Sequence, residues 1–186
     1  MKHSALFYLH QRAGAKFAEC HGWEMPFSFV SPGTEESKVR EHTGLADLSY
    51  RQKFDTRHEP PRPFWNLGKN HYLVVGEPPL SPPSEATDVT SVYANLFLAG
   101  PRSEAVLSKL TSLNVSKDKF PDLSCAQANL AHVHAIVLRE DIRSIPGFHI
   151  LISREYAESV WEAIVHAGHE FHLQPFGLEA LTLLRI

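Results

Sequence analysis

The sequence predicts an α+β protein, with antiparallel or mixed sheets and helices packed on one sheet face. Three observations carry this. From Val92 onward the patterns run strand, helix, three strands, helix. Val106, Leu107 and Leu110, and later Val160, Trp161 and Ile164, recur at helical spacing, whereas Lys16–Cys20 alternates polar and apolar as a half-buried strand does. Two proline-rich breaks, residues 58–63 and 77–84, forbid helix or central strand and stiffen a connection. They divide an N-terminal part, residues 1–60, from a C-terminal part, residues 61–186, two lobes of one unit.

Ser4 is placed to cap a helix carrying Leu6, Phe7 and Leu9 before Gly14. Pro32 and Gly33, followed by Glu35 and Glu36, open a second helix through Val39 to His42; its early acids suit the positive helix start and Gly44 fits the stop. Leu45–Ser49, Lys53–Arg57 and Tyr72–Val75 read as strands. Val92–Leu98 is a strand that Gly100-Pro101 turns into a helix. Cys125–Leu130, His132–Leu138 and Phe148–Ser153 are the next strands. A helix over Glu155–His166 places Tyr156, Val160, Trp161 and Ile164 on one face and stops at Gly168. Residues 177–186 form an apolar helical segment with no cap after it, which must dock on its own core or on a partner.

The 186 residues are 43% hydrophobic and carry a formal net charge of -3, enough for a core and without a basic stripe that would suit nucleic acid. No apolar run is long enough for a membrane span. The first ten residues lack an unbroken apolar signal core, so a cytoplasmic protein is expected. Cys20 and Cys125 are read as free buried thiols on strands.

Candidate sites each have a plain counterpart. His132 and His134 share a strand face at chelating spacing, yet two ligands do not make a metal site. His166, His169 and His172 straddle a helix end at Gly168 and need not converge. Asp47, Ser49 and Asp88 could pair an acid with a nucleophile, whereas a turn role for Asp47 is simpler. Trp23 and Trp65 could stack on a flat ring such as pterin or flavin, with core packing the simpler reading.

Two sets of motifs carry a family resemblance. Gly14-Ala15, His21-Gly22-Trp23-Glu24-Met25-Pro26, Val39-Arg40 and Gly44-Leu45-Ala46-Asp47-Leu48-Ser49 resemble the opening of the T-protein (aminomethyltransferase) of the glycine cleavage system. Residues 175–178 and Leu184-Arg185 return to that pattern. Gly100-Pro101-Arg102, Phe120-Pro121 with Cys125-Ala126-Gln127, and the stretch from Trp65 to Val75 resemble the gamma subunit of heterotetrameric sarcosine oxidase. The resemblance implies a truncated T-protein folate-binding-domain-like fold, with tetrahydrofolate as the cofactor and one-carbon transfer as the chemistry.

The chain departs from the family where that chemistry lies. The T-protein segment with a Gly-Gly and Asp-Asp motif, which supplies a folate-contacting aspartate, has no counterpart between Arg57 and Trp65. Ile142, Ile145 and His149 stand where the family has a tyrosine and two pterin-bonding acids, and Arg51 replaces a methionine. The T-protein's C-terminal barrel has no counterpart either. Arg185 remains where the family keeps an arginine near the folate, so Arg185, Trp23, Trp65 and His149 are the folate-pocket candidates, with no catalytic residue and no metal ligand assigned. The preferred expectation is a non-catalytic accessory subunit that scaffolds a larger flavin- or folate-dependent enzyme, or a homo-oligomer. The alternative is a minimal tetrahydrofolate-binding aminomethyltransferase, with Asp88 or Glu140 brought into the vacant place as proton acceptor.

Overall fold

The computed structural model describes residues 1–186. In chain order the elements are β1 (Lys2–His3), α1 (Phe7–Arg12), β2 (Lys16–Cys20), β3 (Trp23–Ser28), α2 (Pro32–Glu41), β4 (Gly44–Asp47) and β5 (Gln52–Thr56). There follow β6 (Trp65–Gly68), β7 (His71–Gly76), β8 (Thr87–Asp88), β9 (Tyr93–Ala99) and α3 (Ser103–Ser108). The last are β10 (Cys125–Leu130), β11 (Val133–Arg139), β12 (Gly147–Ser153), α4 (Ala157–Gly168), β13 (Gln174–Pro175) and α5 (Leu178–Arg185). No helix is long and apolar enough to cross a membrane.

The central sheet has six strands in the order β10-β11-β12-β9-β4-β13, all antiparallel except the short β13–β4 pair. Strand alternation gives this sheet two faces. Leu96, Leu98, Val137, Phe148 and Ile150 point to one face and pack with Val106, Leu107, Val160, Trp161 and Ile164 of α3 and α4. The other face carries Ala46, Phe97 and Ala99, which pack with Ala180, Leu181 and Leu184 of α5, and Ile136, Leu138 and Leu151, which pack with Trp65 and Leu73. Above the second face lie the smaller sheets β1-β3-β2 and β6-β7-β5-β8.

Local chemistry sets the ends. Ser31 caps α2, its hydroxyl accepting from the Thr34 N–H, and Pro32 takes the first turn, where its missing N–H costs nothing. Ser4 precedes α1 and accepts from the Leu6 N–H at 3.2 Å, two residues before the cap position, which Leu6 holds. Gly44 does not stop α2; it begins β4, and a methyl group there would run into Val39 and Phe176. Close packing, not left-handed backbone, is what this glycine provides. His132 lies with Ala131 in the left-handed turn between β10 and β11, so it does not share a strand face with His134. Tyr156 precedes α4 in a short 3-10 turn and is exposed, while Val160, Trp161 and Ile164 are buried as expected. Ala180, Leu181 and Leu184 of the segment 177–186 dock on the chain's own core, while Leu183 and Ile186 face outward.

Glu35 joins three of these pieces. Its side chain is buried in the first turn of α2. One carboxylate oxygen accepts from the Phe29 and Val30 N–H groups at 2.6 and 2.7 Å, and the other accepts from the Gly177 N–H at 2.7 Å. The start of α5 is thereby held against the end of β3, where Gly177 comes so near the Phe27 and Ser28 backbone that a Cβ would overlap it. Glu35→Gln presents a donor where an acceptor is needed, and should cost about 2–3 kcal/mol in urea unfolding. Gly177→Ala should cost about 1–3 kcal/mol. Because both act on one contact, the double variant should lose less than the sum.

Candidate functional site

A polar cluster sits on the second sheet face, between the apolar group under α5 and the one under β6 and β7. Arg51, in the turn before β5, is its centre; its side chain is 4% exposed. Arg51 Nε and Nη2 lie 3.0 and 2.9 Å from Glu77 Oε1, and Nη1 lies 3.5 Å from Glu140 Oε2. Tyr50 donates its phenol to Glu77 Oε2 at 2.5 Å, and Arg185 Nη1 reaches Glu77 Oε1 at 3.4 Å. His149 on β12 completes the set, with Nε2 2.7 Å from Glu140 Oε2 and 3.3 Å from Arg51 Nη1, and Nδ1 3.1 Å from Asn95 Oδ1.

The protonation states follow from this packing. Burial, helped by the Arg51 charge, pushes His149 down to about 4, so the ring is neutral at neutral pH. Its Nε2–H then donates to Glu140. That hydrogen bond, with the nearby arginines, overcomes burial and holds Glu140 at about 2. Nδ1 is left as an acceptor, and an Asn95 amide turned by half a rotation offers it Nδ2, which otherwise lacks a partner. Burial alone would raise the Glu77 carboxyl, but Arg51 and Tyr50 hold it low, while burial and Glu77 together push the Tyr50 phenol up.

A second buried group lies beside it. Lys53 Nζ donates to the carbonyls of Ser49, Arg51 and Thr90 at 3.0, 2.8 and 3.4 Å, and burial lowers its amine to about 7 against the pull of Asp47. Asp47 Oδ1 accepts from the Ser49 N–H and hydroxyl at 3.0 and 2.6 Å, and Ser49 Oγ accepts from the Asn95 N–H at 3.2 Å. The Ser49 oxygen is thus committed to closing the turn rather than free as a nucleophile. His10 Nε2 stands 3.3 Å from the other Asp47 oxygen, both side chains wholly buried.

Of the four pocket candidates, His149 and Arg185 meet in the cluster. Trp23 packs in the apolar group of Met25 and Tyr50, with the Lys2 amine 5.6 Å from its ring centre. Trp65 packs against Leu73, Ile136 and Leu151. The two tryptophans therefore sit in different apolar groups, apart from His149 and Arg185. Ile142 and Ile145 form a tight turn with reciprocal backbone hydrogen bonds, Arg143 at its left-handed corner, and both side chains are buried. Asp88 is on β8, exposed and accepting from the Thr90 N–H, and takes no part in the cluster. Tyr50, Glu77 and Asn95 were not singled out by sequence reasoning. No local signal marks Glu77, since Arg51 stands among Ser49, Tyr50, Gln52 and Lys53, where a cation reads as exposed.

A tetrahydrofolate pterin would need free acids to pair with its amine and ring nitrogens. Here both acids of the cluster are already held by Arg51, Tyr50, Arg185 and His149, and the turn below them presents two isoleucines. With its internal partners in place, this cluster does not fit that ring. A hollow of about 1160 Å³ lies elsewhere, beside Leu9, Lys109, Trp161 and His166.

A family model described as the GCVT N-terminal domain matches residues 69–186. An aminomethyltransferase of Geobacillus sp. (strain WCH70) is 28% identical over the whole of this chain and 64% of its own length, and one of Halothermothrix orenii is 26% identical over 65% of its length. The chain thus spans less than two thirds of the first of these relatives. Among solved structures, the glycine cleavage system aminomethyltransferase T of Bartonella henselae aligns with a TM-score of 0.78 at 18% identity, over 99% of this chain and 62% of that one. A heterotetrameric sarcosine oxidase from Corynebacterium sp. U-96 aligns with a TM-score of 0.60 at 16% identity, over 76% of this chain and 95% of that one. These likenesses establish the expected α+β, T-protein-type fold.

His149 gives the cluster a pH signature. Its proton is bound more weakly folded, at about 4, than unfolded, near 6.5, so the unfolded chain takes up more protons between these values. Stability contributed above pH ~6.5 should be lost as pH falls toward 4, amounting to about 2 kcal/mol by pH 5. Glu140 adds little there, because its own loss is only beginning at pH 5, just above its ordinary value of 4.5. Urea unfolding at pH 7.5 and pH 5 should show this drop in the wild type and a smaller one in His149→Gln.

Proposed function

The chain belongs to the family of the GCVT N-terminal domain, and from that membership we propose that it is an accessory, non-catalytic member acting as a scaffold for a larger amine-oxidising or one-carbon-transfer enzyme. The observation that carries this reading is the self-neutralised cluster. Every carboxylate in it is tied to a cation or donor of the same chain. General acid–base work on a folate nitrogen needs an acceptor whose affinity for a proton is tuned near the working pH. Glu140, at about 2, is far below that. The heterotetrameric state of the aligned sarcosine oxidase supports partner subunits for this chain as well.

One observation favours the alternative, a minimal aminomethyltransferase that binds tetrahydrofolate. Glu140 is placed in the cluster and its side chain is 44% exposed, so a ligand could reach it. Calorimetric titration of the chain with tetrahydrofolate, anaerobic and reduced, separates the two. The accessory reading expects no saturable heat and no thermal stabilisation. Binding of one equivalent, abolished in Glu140→Gln, would overturn it in favour of the transferase.

A further inference from the structure

Arg51, Arg185 and Tyr50 direct their donors at a single carboxylate, that of Glu77. Arg51 contributes Nε at 3.0 Å and Nη2 at 2.9 Å to one oxygen, Arg185 adds Nη1 at 3.4 Å, and the Tyr50 hydroxyl meets the other oxygen at 2.5 Å. Donors arranged on both oxygens of a planar group fit a carboxylate better than a spherical anion. The main donors are fixed, since Arg51 and Tyr50 are buried in the turn that enters β5. Their acceptor is the outer member: the Glu77 side chain is 40% exposed and stands on the loop 77–84, outside any helix or strand.

We propose that Arg51, Tyr50 and Arg185 form a seat for the carboxylate of a small-molecule ligand, and that Glu77 is an internal occupant that closes it. The charges support exchange of one carboxylate for another. With His149 neutral, Arg51 and Arg185 are balanced by Glu77 and Glu140. Withdrawing Glu77 leaves a buried guanidinium short of one negative charge, which an anion relieves. The loop need not unfold for this. Leu80 pins it independently, its N–H donating to Gln52 at 2.6 Å, so rotation of the Glu77 side chain into solvent opens the seat. The proposal rests on the same cluster as the accessory reading; acetate carries a carboxylate and no pterin, so its binding tests the seat apart from any folate pocket, whereas tetrahydrofolate could also enter the seat through its glutamate carboxylates.

The test uses Glu77→Ala with sodium acetate as the probe and sodium chloride at matched ionic strength as the control. The variant should melt below the wild type, and acetate should restore its melting temperature saturably while chloride does not. The wild type should respond little, its seat being filled. Adding Tyr50→Phe to the alanine variant should weaken acetate binding about tenfold. If the alanine variant does not fold alone, its refolding in acetate but not in chloride carries the same test. Acetate and chloride acting alike on the folded variant would overturn the proposal.

Discussion

A charged guanidinium placed where water hardly reaches constrains much of this molecule. Arg51 cannot stay buried without carboxylates, and the chain supplies them from two distant places, Glu77 after β7 and Glu140 after β11. Arg185, at the end of α5, joins through Glu77, and His149 on β12 joins through Glu140. One cation therefore sets the relative position of a turn, a proline-rich loop, a strand and the last helix. Such a network adds little net stability over an apolar core of the same volume, but removing one member leaves an uncompensated charge. Its effect lies in specifying one arrangement of those four segments.

The opposite face of the sheet uses the same device. Arg139, buried at the end of β11, donates to the carbonyls of Val115 and Phe120 at 3.1 and 3.0 Å and pairs with Asp141 and Glu104. Its guanidinium lies 5.1 Å from the Phe148 ring centre. The long connection from α3 to β10 has little regular structure, and this arginine gives its carbonyls donors. Lys53 does the same for the turn at Ser49 and Arg51. In each case a cation replaces the strand or helix partners that an irregular segment lacks.

Much of the fold could be read from residue order because alternation and helical spacing are local signals. Lys16–Cys20, Cys125–Leu130 and the α4 pattern were legible for that reason. β3, β6, β8 and β13 were not, since Pro26, Gly68 and Pro175 disguise them and they exist through pairing with distant strands. Gly44 reads as a helix stop from its neighbours alone; only the approach of Phe176, far along the chain, reveals why the side chain is missing. The cluster was half legible. His149 and Arg185 stand out by position, and Arg51 by substitution, but Glu77 lies in a segment whose prolines read as a connection. Its partner is 26 residues away, and no local pattern encodes that pairing.

The relation between fold and chemistry in this family member follows from which residues share the second sheet face. An aminomethyltransferase-like fold survives at low identity because it rests on apolar alternation, and Phe97, Ala46 and Leu184 satisfy that without any acid. The chemistry rests on unpaired polar groups, which are costly to hold. Once arginine stands at position 51, free acids nearby would be drawn into ion pairs, and the structure contains those pairs. With isoleucines at 142 and 145, the adjoining turn is secured by packing instead of by a ligand. In the cluster each carboxylate is thus matched by a guanidinium of the same chain, while the buried Lys53 amine beside it is held by backbone carbonyls alone.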